Sequence, residues 1–108
     1  MSAKLLQISF GLNVTPAEYK QIAGAVAESF ANVPGLRWKI WIVDEQKREA
    51  GGVYLFEDQR ALDAFTSSDL AKTVATHPAL KNVTMRASDI MPEETAVTRG
   101  PVAAAAHA

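Results

Sequence analysis

Leu36-Arg37-Trp38-Lys39-Ile40-Trp41-Ile42-Val43, then Asp44-Glu45-Gln46-Lys47-Arg48, then Glu49-Ala50-Gly51-Gly52-Val53-Tyr54-Leu55-Phe56 is the stretch on which the fold turns. The first run is rich in aromatic and β-branched residues, as strands are. A period of two separates Leu36, Trp38, Ile40 and Ile42 from Arg37, Lys39, Trp41 and Val43, so Trp38 and Trp41 point to opposite faces. Five polar residues then turn the chain and the last run returns beside the first, which predicts a hairpin. Gly51-Gly52 inside a strand predicts a bulge or a place where something approaches the backbone closely.

Working outward, Lys4 to Leu12 alternates with Leu6, Ile8, Phe10 and Leu12 on one face, a strand buried chiefly on that side. Thr15-Pro16-Ala17-Glu18 combines a capping threonine, a proline at the first helical position and a glutamate placed to reach back to the cap amide. A helix over about 15 to 32 follows, its stripe made by Tyr19, Ile22, Ala23, Val26 and Phe30, and Pro34-Gly35 ends it. Asp58 can cap a second helical region over 58–76, which Ser67-Ser68-Asp69 kinks or splits. His77-Pro78 stops it, and Lys81 to Met91 reads as the last strand. The order strand, helix, strand, strand, helix, strand is the ferredoxin-like α+β pattern, βαββαβ, with two helices on one face of a four-stranded antiparallel sheet. Residues 1–91 are expected to form that domain and 92–108 a tail without core periodicity. Met91 to Val97 is expected to pack against a partner, and the alanine-rich end to be helical or held by neighbouring molecules.

The chain has 108 residues, 48% hydrophobic and 21% charged, enough for one core and too few for two domains. A net charge of −1 with no basic stripe disfavours nucleic acid as a partner. No apolar run approaches the ~20 residues a membrane span needs. The absence of cysteine excludes disulfides and thiolate chemistry, and two separated histidines make a transition-metal site unexpected. Met1 to Lys4 runs straight into a strand without a secretory leader, so a cytoplasmic location is expected. Helices cover one sheet face only. The leftover face is expected to carry Leu5, Gln7, Ser9, Lys39, Trp41, Val43, Tyr54, Phe56 and Ile90, too apolar for open solvent, which predicts sheet-to-sheet homodimerisation.

The hairpin segments Gly35-Leu36-Arg37-Trp38-Lys39-Ile40-Trp41 and Glu49-Ala50-Gly51-Gly52-Val53-Tyr54-Leu55-Phe56-Glu57-Asp58 resemble those of the YdhR-like monooxygenases, and Leu5-Leu6-Gln7-Ile8-Ser9-Phe10 resembles that family's first strand. The resemblance runs over about residues 4 to 91. It implies a dimeric α+β barrel of ferredoxin-like protomers, akin to the cofactor-independent antibiotic-biosynthesis monooxygenases.

Within that frame Glu49 can orient a substrate hydroxyl or take a proton, or else pair with Arg37 or Arg48. Tyr54 can donate to an oxygen on a bound ring, and Arg86 and Arg37 can hold an anionic oxygen or form salt bridges. Trp38, expected on the helix side with Ile40, Val53 and Met85, is core or a pocket wall. Trp41 is an interface anchor or a ligand contact. His77 is a further base candidate or a helix-end residue. Glu49, Tyr54 and Arg86 are thus the catalytic candidates, and Trp38, Trp41 and Arg37 the substrate-binding ones. Phosphate-loop, flavin, nicotinamide, haem and metal-helix motifs are all absent, so no cofactor is expected. The function expected is oxygenation of a small aromatic, quinol-like or polyketide-like substrate that supplies its own electrons to oxygen. The alternatives are a non-catalytic homodimeric carrier of a small ligand and a purely structural interaction domain.

Overall fold

The computed structural model describes residues 2–102. Expectations about the alanine-rich end, including His107, lie outside the described residues. Eight elements follow one another: β1 (Lys4–Leu12), α1 (Pro16–Ala31), β2 (Leu36–Asp44), β3 (Glu49–Phe56), α2 (Gln59–Thr66), α3 (Asp69–Thr76), β4 (Leu80–Asp89) and α4 (Pro92–Val97). The four strands form one antiparallel sheet in the order β2-β3-β1-β4. The ferredoxin-like α+β architecture read from the sequence is therefore the fold of the chain.

Local signals act where the residues place them. Thr15 Oγ1 accepts from the Glu18 amide at 3.1 Å while the Glu18 carboxylate accepts from the Thr15 amide at 2.9 Å, a reciprocal cap that starts α1. Those hydrogen bonds hold the Glu18 carboxyl below its ordinary range, the backbone one foremost. Asp58 caps α2 through the Ala61 amide at 2.9 Å. Ser68 accepts from the Ala71 amide and restarts the helix as α3, so the second helical region is split at the serine pair. The tail is not structureless at its start. Pro92, with no amide hydrogen to lose, opens α4.

The core lies between the helices and the face of the sheet carrying Leu6, Ile8, Phe10 and Leu12. Phe65 of α2 sits at its centre, its ring 5.3 Å from that of Tyr54, 5.5 Å from Phe56 and 6.2 Å from Phe30.

Two strands present faces opposite to those the sequence suggests. Leu36 faces inward as expected and pairs with Phe56, but Trp38 pairs with Leu55, so Arg37 is an extra residue in β2. A one-residue slip exchanges the faces of everything beyond it. Lys39, Trp41 and Val43 therefore lie on the helix side with Tyr54, Gly52 and Ala50 opposite them, and Tyr54 in turn pairs with inward-facing Leu6. Trp38, Ile40 and Val53 lie on the open face beside Leu5, Gln7 and Ser9. The placement of Lys39, Trp41, Val43, Tyr54 and Phe56 on the open face is thus corrected, as is that of Trp38, Ile40 and Val53 among the helices. Met85, paired with Ile8, is on the helix side as expected.

The glycine pair makes no bulge, because β3 keeps an unbroken register with β1 from Lys4↔Phe56 to Gly11↔Glu49. Its role is close approach. A side chain at Gly51 would collide with the backbone of β1 at Ile8, and one at Gly52 would stand 2.7 Å from Lys39 Cε.

Candidate functional site

Lys39 enters the molecule through the bulge at Arg37, which turns it towards the helices, and through the bare backbone at Gly52, over which its stem passes. Its ammonium group ends 3.4 Å from the ring centre of Trp41, 3.5 Å from that of Phe30 and 4.7 Å from that of Tyr54. Aromatic faces carry negative potential and attract a cation in this geometry. Burial acts in the opposite sense, penalising the charged form and pushing the Lys39 pKa down to about 7. Among the described residues the ion pairs join Lys4 to Asp89 and Lys20 to Glu45, and the Lys39 amine has neither a carboxylate nor a hydrogen-bond acceptor.

The amine borders a cavity of about 70 Å³ between the sheet and helices α1 and α3. Its walls are mostly apolar, from Phe10, Phe30, Trp41 and Leu70, and Tyr19, Tyr54, Thr73 and His77 bring the other polar groups. Tyr54 is 2% exposed, and none of the side-chain hydrogen bonds among the described residues involves its hydroxyl, which keeps contact with the cavity. Burial raises its pKa and that of Tyr19, so both phenols are donors rather than phenolates. His77 Nδ1 accepts from the Ala79 amide at 3.0 Å, which assigns the proton of the neutral ring to Nε2. On the far side of Trp41 a surface groove of about 330 Å³ runs between α1 and β2, past Tyr19, Ala23 and Ala27.

Of the six residues singled out from the sequence, the fold brings Tyr54 and Trp41 together at this cavity. The other four stand elsewhere. Trp38 is on the open face, its indole N–H donating to the Pro101 carbonyl at 2.9 Å, and Arg37 in the bulge donates to Val102. Arg86 pairs with Gln7 on the open face and is exposed. Glu49 lies at the hairpin end of β3 in an open groove of about 650 Å³ that it shares with Lys47, Arg48 and Lys81. Lys39 was missed because unbroken alternation sent it outward. The signal that could have found it was Gly52, whose missing side chain had to make room for something. Among the described residues no three His, Cys, Asp or Glu side chains cluster as a metal site would require, and no helix is long and apolar enough to cross a membrane.

A βαββαβ sheet with helices on one face and an aromatic-walled cavity between the two layers defines a ferredoxin-like α+β protein. The chain belongs to the family described as "Putative mono-oxygenase ydhR", whose model matches residues 5–101. No curated protein sequence matches it. Among solved structures it is similar to SnoaB, a cofactor-independent oxygenase from Streptomyces nogalater, with a TM-score of 0.66 at 14% identity, covering 82% of this chain and 92% of that one. It is also similar to protein SO0527 from Shewanella oneidensis (0.65, 15%, 82% and 91%) and to NE2512, a protein of unknown function from Nitrosomonas europaea (0.68, 12%, 84% and 91%). At these identities the likeness is one of fold.

Proposed function

We propose that the chain is a cofactor-independent monooxygenase for a small aromatic, quinol-like or polyketide-like substrate, bound between the sheet and α1 and α3. The observation that carries this reading is the placement of the Tyr54 phenol and the Lys39 amine, 4.7 Å from its ring centre, at one aromatic-walled cavity. A ring carbon flanked by aromatic groups can be oxygenated there without a cofactor. Its CH₂ becomes C=O, one atom of O₂ enters the product, and the other leaves as water with the two hydrogens. The protein supplies a dry site, orientation and a donor to the ring oxygen.

The cavity alone has room for about two waters. A substrate ring therefore enters from the α1–β2 edge, where displacement of Trp41 joins the cavity to the 330 Å³ groove. The working form in this reading is a homodimer that covers the open sheet face, where Ile40 is 52% and Ile42 46% exposed. Arg37, Trp38, Glu49 and Arg86 then belong to that face and its edges, and Tyr54 and Trp41 to the substrate. Oxygen uptake by metal-free protein across a panel of quinols and anthrones tests the proposal. Turnover above the autoxidation blank supports it. No uptake with any of them, together with ligand-induced thermal shifts, would assign the chain to the carriers instead.

A further inference from the structure

We propose that Lys39 is the proton acceptor of this site, selecting flat conjugated ligands that carry an acidic hydroxyl, phenols or enols, and binding them as oxyanions. The inference rests on the reading that the cavity holds an aromatic ligand, and it assigns the group that ionises it.

The other basic or ionisable groups facing Lys39 are accounted for. From α1 comes Tyr19, from β3 Tyr54, and from the end of α3 His77. The two phenols are kept protonated by burial, and the His77 Nδ1 lone pair is occupied by the Ala79 amide. Among the described residues no carboxylate lines the cavity. Among the described residues, the free basic lone pair at the cavity is that of the Lys39 amine. With its pKa near 7, a large fraction of it is uncharged at neutral pH.

The step balances without an oxidant. The ligand O–H bond breaks, its electron pair stays on oxygen, and the proton forms a new N–H bond on Lys39. The ammonium so formed already lies on the face of Phe30, which favours the cation. The oxyanion receives the Tyr54 hydroxyl as donor and the ammonium as counter-charge. Mutual neutralisation in a dry cavity offsets the burial that makes either charge costly alone. Gly52 is part of the same device, since a side chain there would push the lysine stem off the sheet.

The test uses 3-nitrophenol, whose anion is coloured and whose ring is too electron-poor to be oxygenated, at a pH about one unit below its own pKa, where about a tenth is ionised in water. Saturation with wild-type protein should raise the anion absorbance several-fold, with well under one proton released per ligand bound, because the proton moves to Lys39. Lys39→Met should bind the phenol without colour, binding being followed by tryptophan fluorescence. Lys39→Arg, which keeps a positive charge but cannot accept a proton, should give colour with about one proton released.

A colourless wild-type complex, no binding at all, or equal colour in Lys39→Met overturns the proposal. A full proton released by the wild type also overturns it, since the lysine would then already be an ammonium. Failure of the oxygenase reading looks different: no uptake with any quinol, but an intact coloured complex.

Discussion

Replacing Lys39 by methionine should make the protein more stable, and by an amount that depends on pH. The drop of its pKa from 10.5 to about 7 corresponds to ~5 kcal/mol of disfavour for the buried ammonium. Contact with the Trp41 and Phe30 rings at 3.4 and 3.5 Å returns ~1–2 kcal/mol. Solvent reaching the part of the side chain that stays accessible returns ~1 kcal/mol more. The variant should therefore gain ~2–3 kcal/mol at pH 6, methionine filling nearly the same volume. The unfolded chain holds the lysine proton up to pH 10.5, whereas the folded one releases it near 7. Folding thus expels a proton in that window, and wild-type stability rises with pH through it. Below about pH 7 both states are protonated and the full gap between the proteins is present. Above it the gap closes. The raised pKa values of Tyr19 and Tyr54 act equally in both proteins and cancel in the difference. Urea unfolding of the two proteins from pH 6 to 9 measures the gap, which should shrink by at least ~1 kcal/mol over that range. A variant less stable than the wild type at pH 6, or a gap that does not move with pH, would refute the burial argument.

Three further outcomes are expected. Gly52→Ala should displace the Lys39 stem, costing ~1 kcal/mol in unfolding experiments and lowering turnover at least ten-fold, because the added methyl stands 2.7 Å from Lys39 Cε and 3.2 Å from Tyr54 Cε1. Truncation after Gly100 removes the Pro101 carbonyl that accepts from Trp38 and should cost ~1 kcal/mol by thermal unfolding; truncation after Asp89 removes α4 as well and should cost more and weaken self-association. Ile40→Asp, on the open face, should shift a dimer to monomer in sedimentation velocity at micromolar concentration while leaving the far-ultraviolet circular dichroism unchanged.

The topology was legible in the sequence because its signals are local. The Thr15–Glu18 cap, the Asp58 cap and the polar run from Asp44 to Arg48 each act within a few residues, and each forms as the spacing requires. Which face of β2 meets the helices was not legible, since that depends on how β2 registers against β3. An extra residue at Arg37 leaves no mark in the hydrophobic pattern, yet it moves Trp41 and Lys39 inward and Trp38 and Ile40 outward. For β3 the pattern was equally ambiguous. Val53 and Leu55 are as apolar as Tyr54 and Phe56, and pairing with Leu6 on β1 decides between them. The candidate site inherited the same ambiguity. Tyr54 and Trp41 reach the cavity because they share the face that Leu36 opens, whereas Arg86, Glu49 and Trp38 follow the other face. A lysine beside two tryptophans reads as solvent-exposed by chemistry alone; only the space above Gly52 and the rings of Phe30 and Trp41 explain an amine inside.

The proposed activity is oxygenation of an aromatic substrate by the chain's own side chains without a cofactor. Turnover of the best anthrone or quinol by metal-free protein under ¹⁸O₂ tests it most directly. One ¹⁸O atom per product molecule is expected, the other recovered in water, at a rate lowered at least ten-fold in Tyr54→Phe and in Lys39→Met. Product free of ¹⁸O, or equal rates for the wild type and both variants, would contradict it.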